Sequence, residues 1–541
     1  MTARYYKGRE VLKEYKQGRL VYEKSTSIPD YLCFTALEAG TFTLTIPAAV
    51  TPTYLSYIEW SKDGRTWTHT DNISEAVTIQ VDVAQGEKVY WRGDARRWST
   101  NMNTYSNFSS DCRFNVSGNI LSLLYDDDFA SHSGTTTLAY SFGSLFRNCV
   151  NLIDASALIL PTGYLGVAAL LGLFRDCTSL VHGAPLYAPN IHDSCCYWMY
   201  YGCTSMTEMP AIAATSMLKD NGDPCNYGLY YTFYNCSNME GEVKLNIVGA
   251  VGQQVLDGCF SRCSKITSAD LAFNGALGKM ALRGAFSQCT SLSHVKCLAT
   301  SFYDDGTAAN GSLYNWLNSV SPTGTFIQVS GVTWPRGESG IPTGWVDVEK
   351  RTMPSGYKQL LQVTSNGTAY IQLSFGFEET DEVAATFSVD TSQTTDKYIV
   401  CPQTWNNNSN RYGMGVHGGG YYTGAFGNLS TGNTILTPRT TNDGELHNWT
   451  YAAATFAVTD KSCSINITGA TFGGITTNLR LFYGYNSNTK GAISSYKHIK
   501  GSTTACDFVA AIRESDDTAG LYDFANDEFV TCNGLTAGEE I

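Results

Sequence analysis

Residues 173–180 read LFRDCTSL and residues 200–206 read YYGCTSM. Both carry an aromatic residue, a cysteine three positions later and an aliphatic residue three positions after that. The pattern occurs six times, as Phe146/Cys149/Leu152, Phe174/Cys177/Leu180, Tyr200/Cys203/Met206, Phe233/Cys236/Met239, Phe260/Cys263/Ile266 and Phe286/Cys289/Leu292, with cysteines 28, 26, 33, 27 and 26 residues apart. Four residues before each aromatic stands another apolar or Cys position: Phe142, Leu170, Cys196, Leu229, Leu256 and Leu282. A fixed period in this range identifies a solenoid, whose units cannot bury an apolar side alone and therefore stack. The i, i+4 pair followed by x-x-Cys predicts one short helical turn pressing aromatic, Cys and aliphatic side chains into a common core. A column of small buried side chains explains the cysteines, because a larger residue would clash in a stack. Metal binding by the cysteines would need clustered ligands, and these stand one per repeat without His partners in ligand spacing.

LFRDCTSL and YYGCTSM, with the closing segments YNWLNSVSPTGTFIQ (314–328) and SGIPTGW (339–345), resemble the BspA-type leucine-rich repeats of gut bacteria and of the phages of gut Bacteroidales. The resemblance covers roughly 140–345. It implies an extracellular display and binding surface rather than catalysis. Secreted bacterial members would carry an export signal, and the opening MTARYYKGREVLKEYKQGRLVYEK has no apolar signal core. The expected location is therefore the virion, reached by assembly in the host cytoplasm and release by lysis.

The 541 residues suggest three or four domains. With 43% hydrophobic and 16% charged residues, the chain has material for packed cores. The net charge is −13, while residues 1–24 carry seven Lys/Arg against three Glu, or +4, leaving −17 on the rest. An acidic body without a basic tract excludes nucleic acid as an expected partner. The uncharged stretch 155–174 has bilayer length. It holds Pro161, Gly163, Gly166 and Gly172 and keeps the repeat register, so no membrane insertion is expected. Seventeen cysteines without an export signal predict buried reduced thiols.

The expected fold is mainly β and multidomain, in four parts. Residues 1–28 read as an anchoring hairpin with arms around Gln17-Gly18, docking on other virion proteins. Residues 29–105 alternate with period two, as in Phe42-Leu44-Ile46 and Val77-Ile79-Val81-Val83, with a hairpin turn at Asp63-Gly64, and predict a small immunoglobulin-like β-sandwich. Trp60, Trp67, Trp91 and Trp98 are read there as core and edge packing. Arg92-Gly93-Asp94, a tripeptide known from adhesion ligands, is short enough to occur by chance. Residues 106–345 hold a connecting segment and the leucine-rich-repeat solenoid with its helical turns. In that segment Asp126-Asp127-Asp128 is read as a solvated loop or helix cap rather than a calcium site. Residues 346–541 contain eight or more alternating runs and predict a two-sheet jelly roll.

The final CDFVAAIRESDDTAGLYDFANDEFVTCNG (506–534) resembles the concanavalin-like, laminin-G-type modules that close many phage fibres. That resemblance implies glycan or protein binding as the commonest use. Within the domain, Trp405, Asn406, Asn407, Tyr412, His417, Tyr421 and Tyr422 combine aromatic faces with polar groups, the needs of a sugar site. The competing reading has Tyr421 and Tyr422 simply alternate across a sheet. No G-x-S-x-G, H-E-x-x-H or P-loop motif occurs. The acidic runs Glu378-Glu379 with Asp381-Glu382, and Asp516-Asp517, lack the strand alternation of a glycosidase pair. The expectation is a non-enzymatic tail or head fibre or decoration protein without cofactor or metal, attaching to host-surface glycan or protein. A homo-oligomer is expected, although no heptad stretch sets its order. The alternatives are a bacterial cell-surface adhesin and a capsule-degrading glycosidase.

Overall fold

The computed structural model describes residues 28–50, 54–70, 75–135, 137–367, 371–373, 381–389 and 502–541, together with strand backbones within 5–23 and 397–500. Among these residues the protein is mainly β, and its α-helix is a single turn, Ser122–Tyr125. The chain divides into two compact units. One comprises 1–267, 275–291 and 302–316; the other comprises 268–274, 292–301 and 317–541.

At the start of the first unit, Lys13–Lys16 and Arg19–Glu23 pair antiparallel. The two sheets that follow are built as the alternation predicts. Leu32–Ala36, Leu55–Ser61, Thr68–Thr70, Lys88–Ala95 and Phe114–Asn119 lie in one, and Gly40–Ile46, Val77–Val83 and Asn107–Ser110 in the other. Phe42, Leu44, Ile46, Ile79, Val81 and Val83 are buried while Thr45, Gln80 and Asp82 are exposed. Phe34 packs within 4.8–5.8 Å of the rings of Phe42, Trp91, Phe108 and Phe114. Each such burial stabilises by about 1.5–3 kcal/mol. Trp91 and Trp98 are core, whereas Trp60 and Trp67 are half-buried. Gly64 turns the hairpin at φ 66°, and the Asp63 carboxylate accepts the N–H groups of Arg65 and Thr66.

Arg92-Gly93-Asp94 lies inside the strand Lys88–Ala95. The Arg92 guanidinium sits 4.1 Å over Trp67 and is held by Glu59, Asp126 and Asp127. Asp126 and Asp127 open a 3-10 turn, Asp126–Ser131. The sheets run past residue 105, because Asn107–Ser110 and Phe114–Asn119 complete them. Phe114–Asn119 also pairs in parallel with Leu152–Ile159, so the first strand of the repeat region extends this sheet.

The repeats stack as coils. Their rings form one continuous column, with Phe108 on Phe146 at 5.6 Å, then Phe146, Phe174, Tyr200, Phe233, Phe260 and Phe286 at 5.2–5.4 Å and within 9° of parallel. The expected helical turn does not form. Instead, successive four-residue turns close at every second residue: Leu145 N–H bonds Phe142 O, Arg147 N–H bonds Ser144 O, and Cys149 N–H bonds Phe146 O. The intervening N–H groups point to the next coil, from Phe142 to Ala169 O, Ser144 to Leu171 O, Phe146 to Leu173 O and Asn148 to Arg175 O, at 2.8–2.9 Å. A helix would turn every N–H inward along its own axis. This ribbon directs half of them sideways, and stacking satisfies them. The cost is a left-handed residue at every fourth position, including Ser144, Asn148, Asp176, Trp198, Tyr231, Asn235 and Arg262.

The ribbon extends one coil beyond the six. Leu282 and Phe286 donate to the carbonyls of Ser312 and Trp316, and Asn315 and Ser319 repeat the positive φ. Leu313 therefore occupies the apolar position of a seventh turn, one coil on from Leu282.

In the second unit a parallel ladder joins Ser268–Leu271 to His294–Cys297, then to Gly324–Val329 and Trp345–Lys350. Two large sheets follow. One centres on Glu382–Val389, Lys490–Lys500, Thr503–Arg513 and Thr518–Asp523; the other contains Ile371–Gln372, Leu479–Leu481, Lys397–Pro402, Arg411–His417, Tyr421–Gly427 and Thr434–Leu436. No helix among the described residues is long and apolar enough to cross a membrane, and 155–174 is strand and turn ribbon.

Candidate functional site

The repeat core is occupied by packing. The side chains of Phe146, Phe174, Tyr200, Phe233, Phe260 and Phe286 are buried with Cys149, Cys177, Cys203, Cys236, Cys263 and Cys289. Five of these thiols also bond, donating to the ring residue's carbonyl one coil back: Cys177 to Phe146 O, Cys203 to Phe174 O, Cys236 to Tyr200 O, Cys263 to Phe233 O and Cys289 to Phe260 O, at 2.9–3.2 Å. The six repeat cysteines form no disulfide, and burial pushes the Cys149 thiol up to about 12 and Cys177 well above its usual range. A thiol held protonated in this way is neither a nucleophile nor a ready metal ligand.

Three further columns stand three and two residues before, and one residue after, each core ring. In the coils of Phe146, Phe174, Phe260 and Phe286 they hold Gly143, Ser144 and Arg147; Leu171, Gly172 and Arg175; Asp257, Gly258 and Ser261; and Arg283, Gly284 and Ser287. The third and fourth coils place Tyr197, Trp198 and Tyr201 beside Tyr230, Tyr231 and Tyr234. All six rings are half-buried. Tyr197 stacks on Tyr230 at 4.4 Å and Tyr201 on Tyr234 at 4.8 Å. Arginines close both ends, with Arg175 at 4.3 Å over Trp198 and Arg262 at 5.5 Å over Tyr234. This aromatic ledge was missed in reading the sequence, although aligning the six units by their core ring displays it as three columns.

Next to the ledge lies a buried carboxylate. Asp257 accepts from Gln254 Nε2 at 2.9 Å and pairs with Arg283 at 2.5 Å. Burial raises its carboxyl above the usual range, opposed by Arg283 and Gln254. Tyr231 is pushed up to about 12, first by burial and then by Asp257. The neutral phenol is thus the form present at physiological pH, able to donate and accept.

Of the residues expected to bind sugar, Trp405, Asn406 and Asn407 lie outside the described residues. Tyr412 and His417 lie in the strand Arg411–His417, and Tyr421 and Tyr422 in Tyr421–Gly427. These strands pair antiparallel, with His417 opposite Tyr421, Val416 opposite Tyr422 and Tyr412 opposite Phe426. Backbone pairing therefore brings His417 and Tyr421 together, with Tyr412 at the far end of the ladder. In the acidic runs, Asp381 is buried against His498 Nε2 at 2.8 Å, and His498 Nδ1 meets the Tyr496 hydroxyl at 2.9 Å. All three side chains are buried, so solvent does not reach this relay. Asp516 pairs with Arg513 across a turn. Among the described residues no group of three or more His, Cys, Asp or Glu is placed to hold a metal ion. Compared with family models, with curated proteins and with solved structures, this chain matches none.

Proposed function

We propose that this chain is a non-enzymatic structural protein of a bacteriophage particle, a tail or head fibre or decoration protein, displaying surfaces that attach to host glycan or protein. The observation that carries the reading is the division of labour within the repeats. Their core positions hold a repeated ring-and-thiol pattern, while three flanking columns change from coil to coil and gather large, half-buried rings at one place. A scaffold of this kind presents variable chemistry on a fixed frame.

In finer terms, the coils read as BspA-type leucine-rich repeats, the first two sheets as an immunoglobulin-like layer and the last two as a concanavalin- or laminin-G-like jelly roll. The paired strands at Lys13–Lys16 and Arg19–Glu23, in the basic segment 1–24, are the proposed anchor to other virion proteins, and the particle is assigned a homo-oligomer of this chain.

Mass spectrometry of gradient-purified particles beside envelope fractions of the same culture tests this proposal. Stoichiometric recovery in particles is expected. Recovery only in bacterial envelopes would replace it with a cell-surface adhesin, and release of reducing sugar from capsule by the purified chain would replace it with a glycosidase.

A further inference from the structure

Gly258 has no side chain, and the Tyr231 ring lies where one would be. A Cβ built on Gly258 would meet Cζ, Cε1 and Cε2 of Tyr231 at 2.6–2.7 Å. Near-equal distances to these three ring carbons place that point over the face of the ring, because an approach in the ring plane would meet its edge first. Tyr231 therefore lies flat on the backbone of the neighbouring coil, with its other face turned away from it. Tyr230 and Tyr234 border it at 4.6 and 5.2 Å, tilted by 46° and 40°.

We propose that Tyr231 is the platform of a saccharide-binding site on the ledge, with Tyr230 and Tyr234 as its side walls. The proposal rests on reading the coils as a display surface, and it is independent of where the chain resides.

Three observations carry it. First, packing does not require these rings. Four other coils fill the same columns largely with Gly, Ser and Arg and stack equally well. Trp198 and Tyr231 even hold positive φ, where Gly172, Gly258 and Gly284 stand in neighbouring coils. Large rings left half-buried, at a left-handed position that the neighbouring coils give to glycine, point to use rather than packing.

Second, the chemistry fits a pyranose. One face of a sugar ring presents C–H groups that stack on an aromatic face, while its rim presents hydroxyls that need donors and acceptors. Tyr231 supplies the face, and the phenols of Tyr230 and Tyr234 stand beside it. Arg283, whose side chain is 31% exposed, is held by the 2%-exposed Asp257 and keeps further N–H donors for the rim. Third, the stacking pairs Tyr197–Tyr230 and Tyr201–Tyr234 hold the walls in place before a ligand arrives.

The test uses the full chain, titrated by calorimetry with linear gluco-, galacto- and manno-hexaoses and with an oligouronate. Binding of at least one is expected, weakened tenfold or more by Tyr231→Ala and less than threefold by Tyr231→Phe, with thermal unfolding of both variants checked against the parent. Arg283→Met is expected to weaken binding as well. Absence of binding across the panel overturns the proposal, as does binding that Tyr231→Ala leaves unchanged. Binding lost instead on replacing Trp405 and Tyr422 with Ala would move the sugar to the C-terminal domain, overturning this site while leaving the display reading intact.

Discussion

The Cys203 sulfur stands 3.1 Å from the carbonyl oxygen of Phe174, one coil back, while the backbone N–H of Cys177 bonds the same oxygen at 3.1 Å. One carbonyl thus accepts a bond within its own coil and a second from its neighbour, and the cysteine is the side chain that ties them. Size alone would admit Ala or Ser at this place; the thiol adds a donor in a compact, mostly apolar group.

Replacing Cys203 with Ala should therefore cost about 1–3 kcal/mol, from the lost bond and the void left by the sulfur. Cys203→Leu should cost a similar amount by overpacking a column with 5.3–5.4 Å ring spacing. Shifts of the urea midpoint relative to the parent chain check both. An Ala variant as stable as the parent would reduce the thiol to a filler.

Thiol labelling should divide by burial. Cys532 is half-exposed, whereas Cys149, Cys177, Cys203, Cys236, Cys263 and Cys289 are buried. Brief alkylation of the native protein, mapped by peptide mass, should modify Cys532 and leave those six intact until denaturant is added. Labelling of a repeat cysteine at the rate of Cys532 would show coils opening locally rather than with the stack.

The same thiols should set an alkaline limit to stability. Burial raises the folded-state values of Cys149, Cys177, Cys203, Cys236, Cys289 and Cys297 above the ordinary 9.0, Cys149 and Cys297 to about 12. Above pH 9 the unfolded chain loses these protons and the folded chain keeps them, so the unfolded state binds fewer protons and stability falls as pH rises. The contribution is whole below pH 9 and is lost between about 9 and 12, at about 1.4 kcal/mol per pH unit for each such thiol. Unfolding followed by circular dichroism from pH 8 to 11 should become steep just above 9. Flat stability over that span would contradict sealed thiols.

Aromatic-to-cysteine spacing located six coils because it reports the stack's interior, where one geometry is enforced repeatedly; it missed the coil after Phe286, which carries neither the ring nor the thiol. The backbone between those positions was misread for a physical reason. Phe142 and Phe146 share a face whether their segment is helix or turn ribbon, and the distinction lies in positive φ at Ser144 and Asn148. Ser144 has no preference that announces it; Asn148, with Asp176 and Asn235 in the same column, is of a type enriched at positive φ, and bonds to the next coil offset the cost at both positions. The ledge escaped notice because Tyr197 and Tyr230 are 33 residues apart and become neighbours only when the coils are laid in register. The Asp126–Arg92 contact is hidden likewise, since nothing local to Asp126-Asp127-Asp128 names its partner across the sheet.

Gly258 and Gly284 allow the ring contact to be measured apart from the backbone. Both have positive φ, 60° and 58°, so Ala at either site bears the left-handed penalty of about 1–2 kcal/mol. A Cβ on Gly284 meets nothing within 4 Å, whereas one on Gly258 would enter the Tyr231 ring. Gly258→Ala should therefore be more destabilising than Gly284→Ala, and the excess should vanish when Tyr231 is also Ala. A double-mutant cycle on urea midpoints reads that coupling directly, with about 1 kcal/mol or more expected for residues in contact. Equal costs at the two glycines would mean that the Tyr231 ring swings aside freely, and a platform that moves so easily could not be the preformed face on which a sugar stacks.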